Sequence, residues 1–222
     1  MKSEQQPCSN GWHDSHEKRE LDALLASHFG GIALKLSGAA LTMLRPYNYK
    51  LFKQSRIGRD GLPFDMYKIQ TMDSTTEDLL GEKHILPVAR MIRDLAFDEL
   101  VQICHVSTDP DRPGLMSITG PRPQLPEEIC HMRATMTSAG REQQFEQWLN
   151  AYHAMRPGLF SLETIVTAGY EPNTLEFYEA RASATLWYYE NADRAMDLLT
   201  FGANLALGNM RYQNMRLTEM VS

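Results

Sequence analysis

Asp98 and Glu99 stand side by side in Phe97-Asp98-Glu99-Leu100, and eighteen positions after Asp98 begins the run Met116-Ser117-Ile118-Thr119-Gly120-Pro121-Arg122-Pro123. Two adjacent carboxylates can supply a nucleophile and a metal ligand. A turn locked by Pro121 and Pro123 can hold the Arg122 guanidinium against a phosphate. Together these residue types point to phosphoryl chemistry. Taken alone, an Asp-Glu step is common on solvated helix faces, and Arg122 could equally fix its turn by pairing with a carboxylate.

The flanking sequence extends the pattern. Upstream lies Phe52-Lys53-Gln54-Ser55-Arg56-Ile57-Gly58-Arg59-Asp60-Gly61-Leu62-Pro63-Phe64-Asp65-Met66-Tyr67-Lys68-Ile69-Gln70-Thr71-Met72, and ahead of the carboxylates Ala89-Arg90-Met91-Ile92-Arg93. Downstream come Arg156-Pro157-Gly158, Tyr188-Tyr189-Glu190-Asn191 and Asp197-Leu198. In this order, over about residues 49 to 200, the blocks resemble those of the bacterial sugar transferases. These are the monotopic phosphoglycosyl transferases, which move a phospho-sugar from a nucleoside diphosphate sugar to polyprenol phosphate.

The resemblance implies a fold and a site. The fold is α+β: a helix-dominated single domain with a small β-hairpin or sheet. The activity is sugar-phosphate transfer in glycan and exopolysaccharide assembly. Asp98 would be the nucleophile that forms a phospho-sugar aspartyl intermediate. Glu99 would act beside it as metal ligand or proton acceptor, with Asp98 also near the metal. Lys68 and Arg122 would bind phosphate, with Arg90, Arg93 and Gln70 as further binding residues. A sugar diphosphate carries negative charge on the phosphorus under attack, so a divalent cation and basic side chains must offset it. Mg²⁺ suits such a site, because it accepts few carboxylates and keeps phosphate and water ligands. The implied partners are a UDP-sugar as donor and polyprenol phosphate, or another phosphate acceptor. Homo-oligomerisation is left open.

Departures from the family pattern open alternatives. Gln70 stands where the family has arginine, Val101 replaces a proline, and Leu115 replaces an acidic residue ahead of Met116. An amide cannot offset a dianionic phosphate as a guanidinium can. The connection through Thr108-Asp109-Pro110-Asp111-Arg112-Pro113 is also longer than the family's usual one. One alternative is therefore a pseudoenzyme on the same fold, binding a nucleotide or a partner without turnover. Another is a soluble enzyme with a non-lipid acceptor.

Membrane attachment is a further point of divergence. Family members carry an N-terminal re-entrant helix broken at Ser-Pro. Here the candidate is Phe29 to Leu44, which contains Gly30, Gly31, Lys35 and Ser37. It is shorter than the ~20 apolar residues that span a bilayer. The expectation is a divergent member lacking a clear anchor: cytoplasmic, and peripheral on the inner membrane face where it is attached at all. The N-terminus is polar through Glu20 and does not read as a secretory signal.

Bulk properties agree with one cytoplasmic domain. The 222 residues carry a formal charge of -6, which argues against a general nucleic-acid binder. Cys8, Cys104 and Cys130 are too few, and odd in number, for a disulfide framework. Cys104-His105 and Cys130-His131 repeat a pair, but adjacent helical residues diverge by about 100° and match no common zinc spacing. Half-buried thiols are expected instead.

The sequence divides into a polar tail over 1–14, a helical segment over 15–48 and a catalytic domain over 49–222. Asp14 and Glu17 would begin the first helix in capping-box fashion. Tyr49 to Gln54 and Phe64 to Thr71, around Gly58 and Gly61, read as a hairpin. A helix should run from Pro87 to about His105, with Asp98 and Glu99 in its last two turns. Further helices are expected at Pro126 to Met136 and Arg141 to Met155, then a strand at Ser161 to Val166. Helices over Asn173 to Asn191 and Ala192 to Tyr212 close the chain.

Overall fold

The computed structural model describes residues 9–47, 50–70, 89, 92 and 99–206. Its first large element is α1, His16–Leu44. The Ser15 hydroxyl caps it by accepting the Lys18 N–H at 3.0 Å. Asp14 does not cap it; its carboxylate takes the Arg59 guanidinium instead, with Nη2 to Oδ2 at 3.0 Å. Lys18, Asp22, Ala26, Gly30, Ala33, Ser37, Ala40 and Leu44 recur every three or four residues and form one buried stripe along the whole helix. The opposite face exposes Leu24, Ile32, Leu34 and Met43.

At 29 residues α1 is about 43 Å long. It is long and apolar enough, by length and composition, to cross a membrane. The apolar stretch read from Phe29 to Leu44 is thus part of something longer. The Ser15 cap starts the helix early enough to add Leu21, Ala23, Leu24, Leu25 and Ala26.

β1 (Leu51–Ile57) and β2 (Pro63–Ile69) form the expected antiparallel hairpin, with Phe52 opposite Lys68 and Arg56 opposite Phe64. Asp60 and Gly61 both take positive φ in the connecting turn. Residues 89 and 92 are helical. The expected helix does not continue unbroken to His105: Glu99 lies in a turn, and Leu100–His105 is a 3₁₀ helix. The longer connection that follows is closed by a bridge between Val106 and Met116. It folds back on α1, where Asp111 lies 3.6 Å from His16.

β3 (Ser117–Thr119) pairs in parallel with β4 (Gly158–Phe160). Between them run α2 (Pro126–Ser138) and α3 (Glu142–Ala154). α2 starts on Pro126, with the Glu128 carboxylate accepting the Leu125 N–H at 2.9 Å. Arg156-Pro157-Gly158 ends α3 and opens β4, as its proline and glycine dictate.

Here two turns pack main chain on main chain. A Cβ on Gly120 would come within 2.5 Å of the Arg156 carbonyl oxygen, and one on Gly158 within 2.1 Å of the Gly120 nitrogen. Only glycine fits either position, and the Gly158 N–H donates to the Pro121 carbonyl at 2.8 Å.

The strand expected at Ser161 to Val166 is instead a short helix, α4 (Leu162–Val166), capped by Ser161. α5 (Leu175–Asn191) follows, and residues 194–206 are helical. Helices dominate this α+β fold, with two small two-stranded sheets among the described residues. The main core joins Leu21, Leu25 and Ala33 of α1 to Met116, Ile118, Met155 and Tyr188. A second core sits between α2, α3 and α5 around Phe145, Trp148 and Tyr178.

Candidate active site

Three segments converge on Glu99. β2 delivers Lys68, whose Nζ donates to Glu99 Oε1 at 2.8 Å. The turn after β3 delivers Arg122, exposed between buried Pro121 and Pro123. β1 delivers Arg56, which is buried and donates to the Pro123 carbonyl at 3.2 Å and to Glu128 at 3.3 Å. Arg56 also donates to Gln54 Oε1 at 2.7 Å. It thereby ties the hairpin to the arginine turn.

The electrostatics follow from this convergence. Burial pushes the Glu99 carboxyl up, but the positive charges of Lys68, Arg122 and Arg56 outweigh it and hold Glu99 below the usual carboxylate range. Arg56 in turn is pulled down by burial, against the opposing attraction of Glu128. Glu99 is thus a half-exposed carboxylate kept ionised in a basic setting to which Arg122 contributes.

Gln70 lies two residues beyond Lys68, just past the end of β2, and its N–H donates to the Lys50 carbonyl at 2.9 Å. Leu115 is exposed. Val101 is half-buried in the 3₁₀ helix. Asp98, Arg90 and Arg93 lie outside the described residues.

Cys104 and Cys130 are exposed rather than half-buried. His131 bonds the Tyr178 hydroxyl at 2.8 Å, and the His105 ring stacks on Tyr67 with centroids 5.7 Å apart.

Arg56 went unrecognised as a site residue in the sequence. Its signal was present, since it sits in the block Phe52-Lys53-Gln54-Ser55-Arg56 that carries the resemblance. Equally unforeseen is a buried network behind the site. Lys18 Nζ contacts Asp22 at 3.2 Å, Asp197 at 2.8 Å and the Thr119 hydroxyl at 2.7 Å. Asp22 accepts from the Ser117 hydroxyl, at 2.7 Å, and from the Ile118 N–H, at 3.0 Å. The strand leading to Arg122 is therefore fastened to the start of α1.

The profile of the bacterial sugar transferase family matches residues 14–206. The chain belongs to that family. Among its relatives is a UDP-glucose:undecaprenyl-phosphate glucose-1-phosphate transferase of Caulobacter vibrioides. It is 29% identical over 191 residues, covering 82% of this chain and 65% of the relative. The Escherichia coli protein of the same name is 29% identical over 147 residues, covering 62% of this chain and 28% of its own length. The uncharacterized sugar transferase EpsL of Bacillus subtilis is 30% identical over 151 residues, covering 66% of this chain and 63% of the relative. The chain thus spans 28% of the first-named transferase's length in E. coli and 65% in C. vibrioides.

Mg²⁺ can be tested against the donor set of this bacterial sugar transferase. Among the described residues no group of three or more His, Cys, Asp or Glu gathers to hold a metal ion. Mg²⁺ does not need one: one or two carboxylates with substrate phosphates and water suffice. Glu99, half-exposed and ionised, is a carboxylate of that kind.

Proposed function

We propose that this chain is a phosphoglycosyl transferase that moves a sugar phosphate from a nucleoside diphosphate sugar to polyprenol phosphate in glycan assembly. The observation that carries the reading is the convergence of Lys68, Arg56 and Arg122 on the ionised Glu99, next in sequence to Asp98. In this reading the Asp98 carboxylate attacks the sugar-bearing phosphorus. The bridging P–O bond breaks, and nucleoside monophosphate leaves with the electron pair. An oxygen of the acceptor phosphate then attacks the same phosphorus, displaces Asp98 and regenerates its carboxylate.

Lys68 and Arg122 bind the diphosphate and offset its charge where the leaving group develops more. Gln70, two residues after Lys68, supplies an amide hydrogen bond where charge is not required. Arg90 and Arg93 are assigned to phosphate or headgroup binding on the strength of the family pattern. Glu99 and Asp98 would hold Mg²⁺, which when bound supplies Lewis-acid neutralisation of the phosphates.

Relatives named for UDP-glucose and undecaprenyl phosphate support these as the first donor and acceptor to try. The outer face of α1, with Leu24, Ile32, Leu34 and Met43, supports contact with the cytoplasmic side of a membrane, where such an acceptor would be met.

Intact-mass spectrometry tests the reading. The full chain is incubated with Mg²⁺ and UDP-glucose or a panel of other nucleotide sugars, beside Asp98→Asn. A phospho-sugar increment on the wild type that the variant lacks is the expected result. No increment and no nucleoside monophosphate from any donor would overturn the reading and leave a non-catalytic binding protein in its place.

A further inference from the structure

The Arg122 side chain is exposed, yet its main chain is gripped from both sides by buried groups. Its carbonyl accepts from Gln124 Nε2 at 2.8 Å. Its N–H is directed at the Glu163 carboxylate. Gln124 and Glu163 are joined to each other, Nε2 to Oε2, at 3.5 Å. Arg181 of α5 completes the group, with Nη1 donating to Gln124 Oε1 at 2.8 Å and Nε lying 3.8 Å from Glu163 Oε2. One turn further along α5, the Thr185 hydroxyl donates to Glu163 Oε1 at 2.7 Å. All four side chains are buried, Gln124 to 1% and Glu163 to 3% exposure.

The residue types are those the geometry demands. Arg181 can only donate, so the Gln124 oxygen must face it and the Gln124 NH₂ must face the Arg122 carbonyl; only an amide offers both. Glu163 receives the Thr185 hydroxyl, the Arg122 N–H and the Arg181 charge, and a group that accepts on both oxygens is needed for that. Arg181 is itself fixed by lying over the Phe177 ring, 4.6 Å from its centroid. The main chain of Gln124 is pinned as well: its N–H donates to the Tyr152 hydroxyl at 3.0 Å and its carbonyl accepts the Ile57 N–H at 2.9 Å. A buried ionic network is a costly way to fill a core, since an apolar set of the same volume is often as stable. What this one fixes is a single main-chain unit that bears an exposed guanidinium.

We infer that Gln124, Glu163 and Arg181 are positioning residues that set the Arg122 main chain, and through it the approach of its guanidinium to the donor's diphosphate. This rests on the reading of Arg122 as a phosphate-binding residue. The test uses Gln124→Met and Glu163→Gln in the full chain, each alone and combined with Arg122→Ala. Donor kinetics are followed by release of nucleoside monophosphate, with Mg²⁺ and the nucleotide sugar that yields the mass increment. Thermal melting and hydrogen exchange over residues 117–125 run in parallel.

Each single variant should raise the donor KM about tenfold with kcat within about twofold, and that effect should vanish in the Arg122→Ala background. Exchange over 117–125 should quicken even where melting is little changed. Equal effects with and without Arg122, or unaltered exchange over that segment in both variants, would overturn the positioning role. Wild-type kinetics for Arg122→Ala would instead remove Arg122 from the site. A wild type that transfers from no donor defeats the functional reading, and exchange alone then decides whether the clamp exists.

Discussion

Two clusters in this molecule are built from lysine and carboxylates, and they differ in almost everything else. In the first, Lys18, Asp22 and Asp197 have side chains exposed by 2%, 3% and 0%. Asp22 also takes the Ser117 hydroxyl, the Ile118 N–H and, at 3.4 Å, Arg156. Asp197 takes the Trp12 indole N–H at 2.9 Å and the Tyr188 hydroxyl. Two cations balance two anions, and each carboxylate is surrounded by donors. In the second, the side chains of Lys68 and Glu99 are exposed by 29% and 39%. Among the described residues Glu99 there faces the charges of Lys68, Arg122 and Arg56, the last of them shared with Glu128 at 3.3 Å. A neutral, saturated network holds parts of a fold together. A half-exposed one, with basic side chains open to solvent, is suited to receive an anion.

Lys18→Met tests the first half of that contrast and should have the largest effect. It leaves two buried carboxylates facing each other without their shared cation, at a cost of about 3–5 kcal/mol. Urea unfolding should show a loss of that size. Lys68→Met, at a half-exposed pair, should change stability by less than about 1 kcal/mol while impairing transfer. Similar losses of stability in the two variants would erase the distinction.

Glu99→Gln comes next. It should slow transfer about a hundredfold by removing charge from the site, with melting close to wild type. The acid side of the pH profile sharpens the point. Burial raises the Glu99 pKa and Lys68 is the largest influence lowering it. Lys68→Gln should therefore move the acid limb of kcat/KM to higher pH. For stability the sign is that of a depressed carboxylate. The contribution of Glu99 is present above the ordinary carboxylate range and is lost as pH falls through its folded pKa. An acid limb unmoved by Lys68→Gln would show that Glu99 is not the group titrating.

The local parts of the fold were legible in the sequence, because local chemistry decides them. The hairpin around Gly58 and Gly61, α2 beginning at Pro126 and the stop at Arg156-Pro157-Gly158 each follow from a turn or breaker residue. The failures occurred where packing outvotes pattern. Ile165 and Val166 favour a strand, yet Ser161 caps a helical turn there that places Glu163 beneath Arg122. Glu99 was expected in the last turns of a helix, yet it sits in a turn before a 3₁₀ helix.

The site was half legible for a similar reason. Lys68, Glu99 and Arg122 stand out by motif, and the fold brings them together. The i, i+4 pair Lys18–Asp22, by contrast, has the spacing of any solvated helix pair. Only burial against Thr119 and Asp197 distinguishes it, and burial is not encoded in spacing.

The smallest effect concerns how the buried cluster is delivered. Ser15 and Asp14 are both plausible caps for the helix that carries Lys18 and Asp22, and the structure assigns the role to Ser15, whose hydroxyl accepts the Lys18 N–H itself. Ser15→Ala should therefore cost about 1 kcal/mol, since it leaves a helix-start donor unpaired directly above the Lys18 side chain. Asp14→Ala removes only a largely exposed partner of Arg59 and should cost less, near the lower end of the 0–1 kcal/mol range of surface pairs. Chemical denaturation of the two variants side by side resolves a difference of this size. The reverse order would mean that the helix start, and with it the anchorage of the strand leading to Arg122, depends on the Asp14–Arg59 pair.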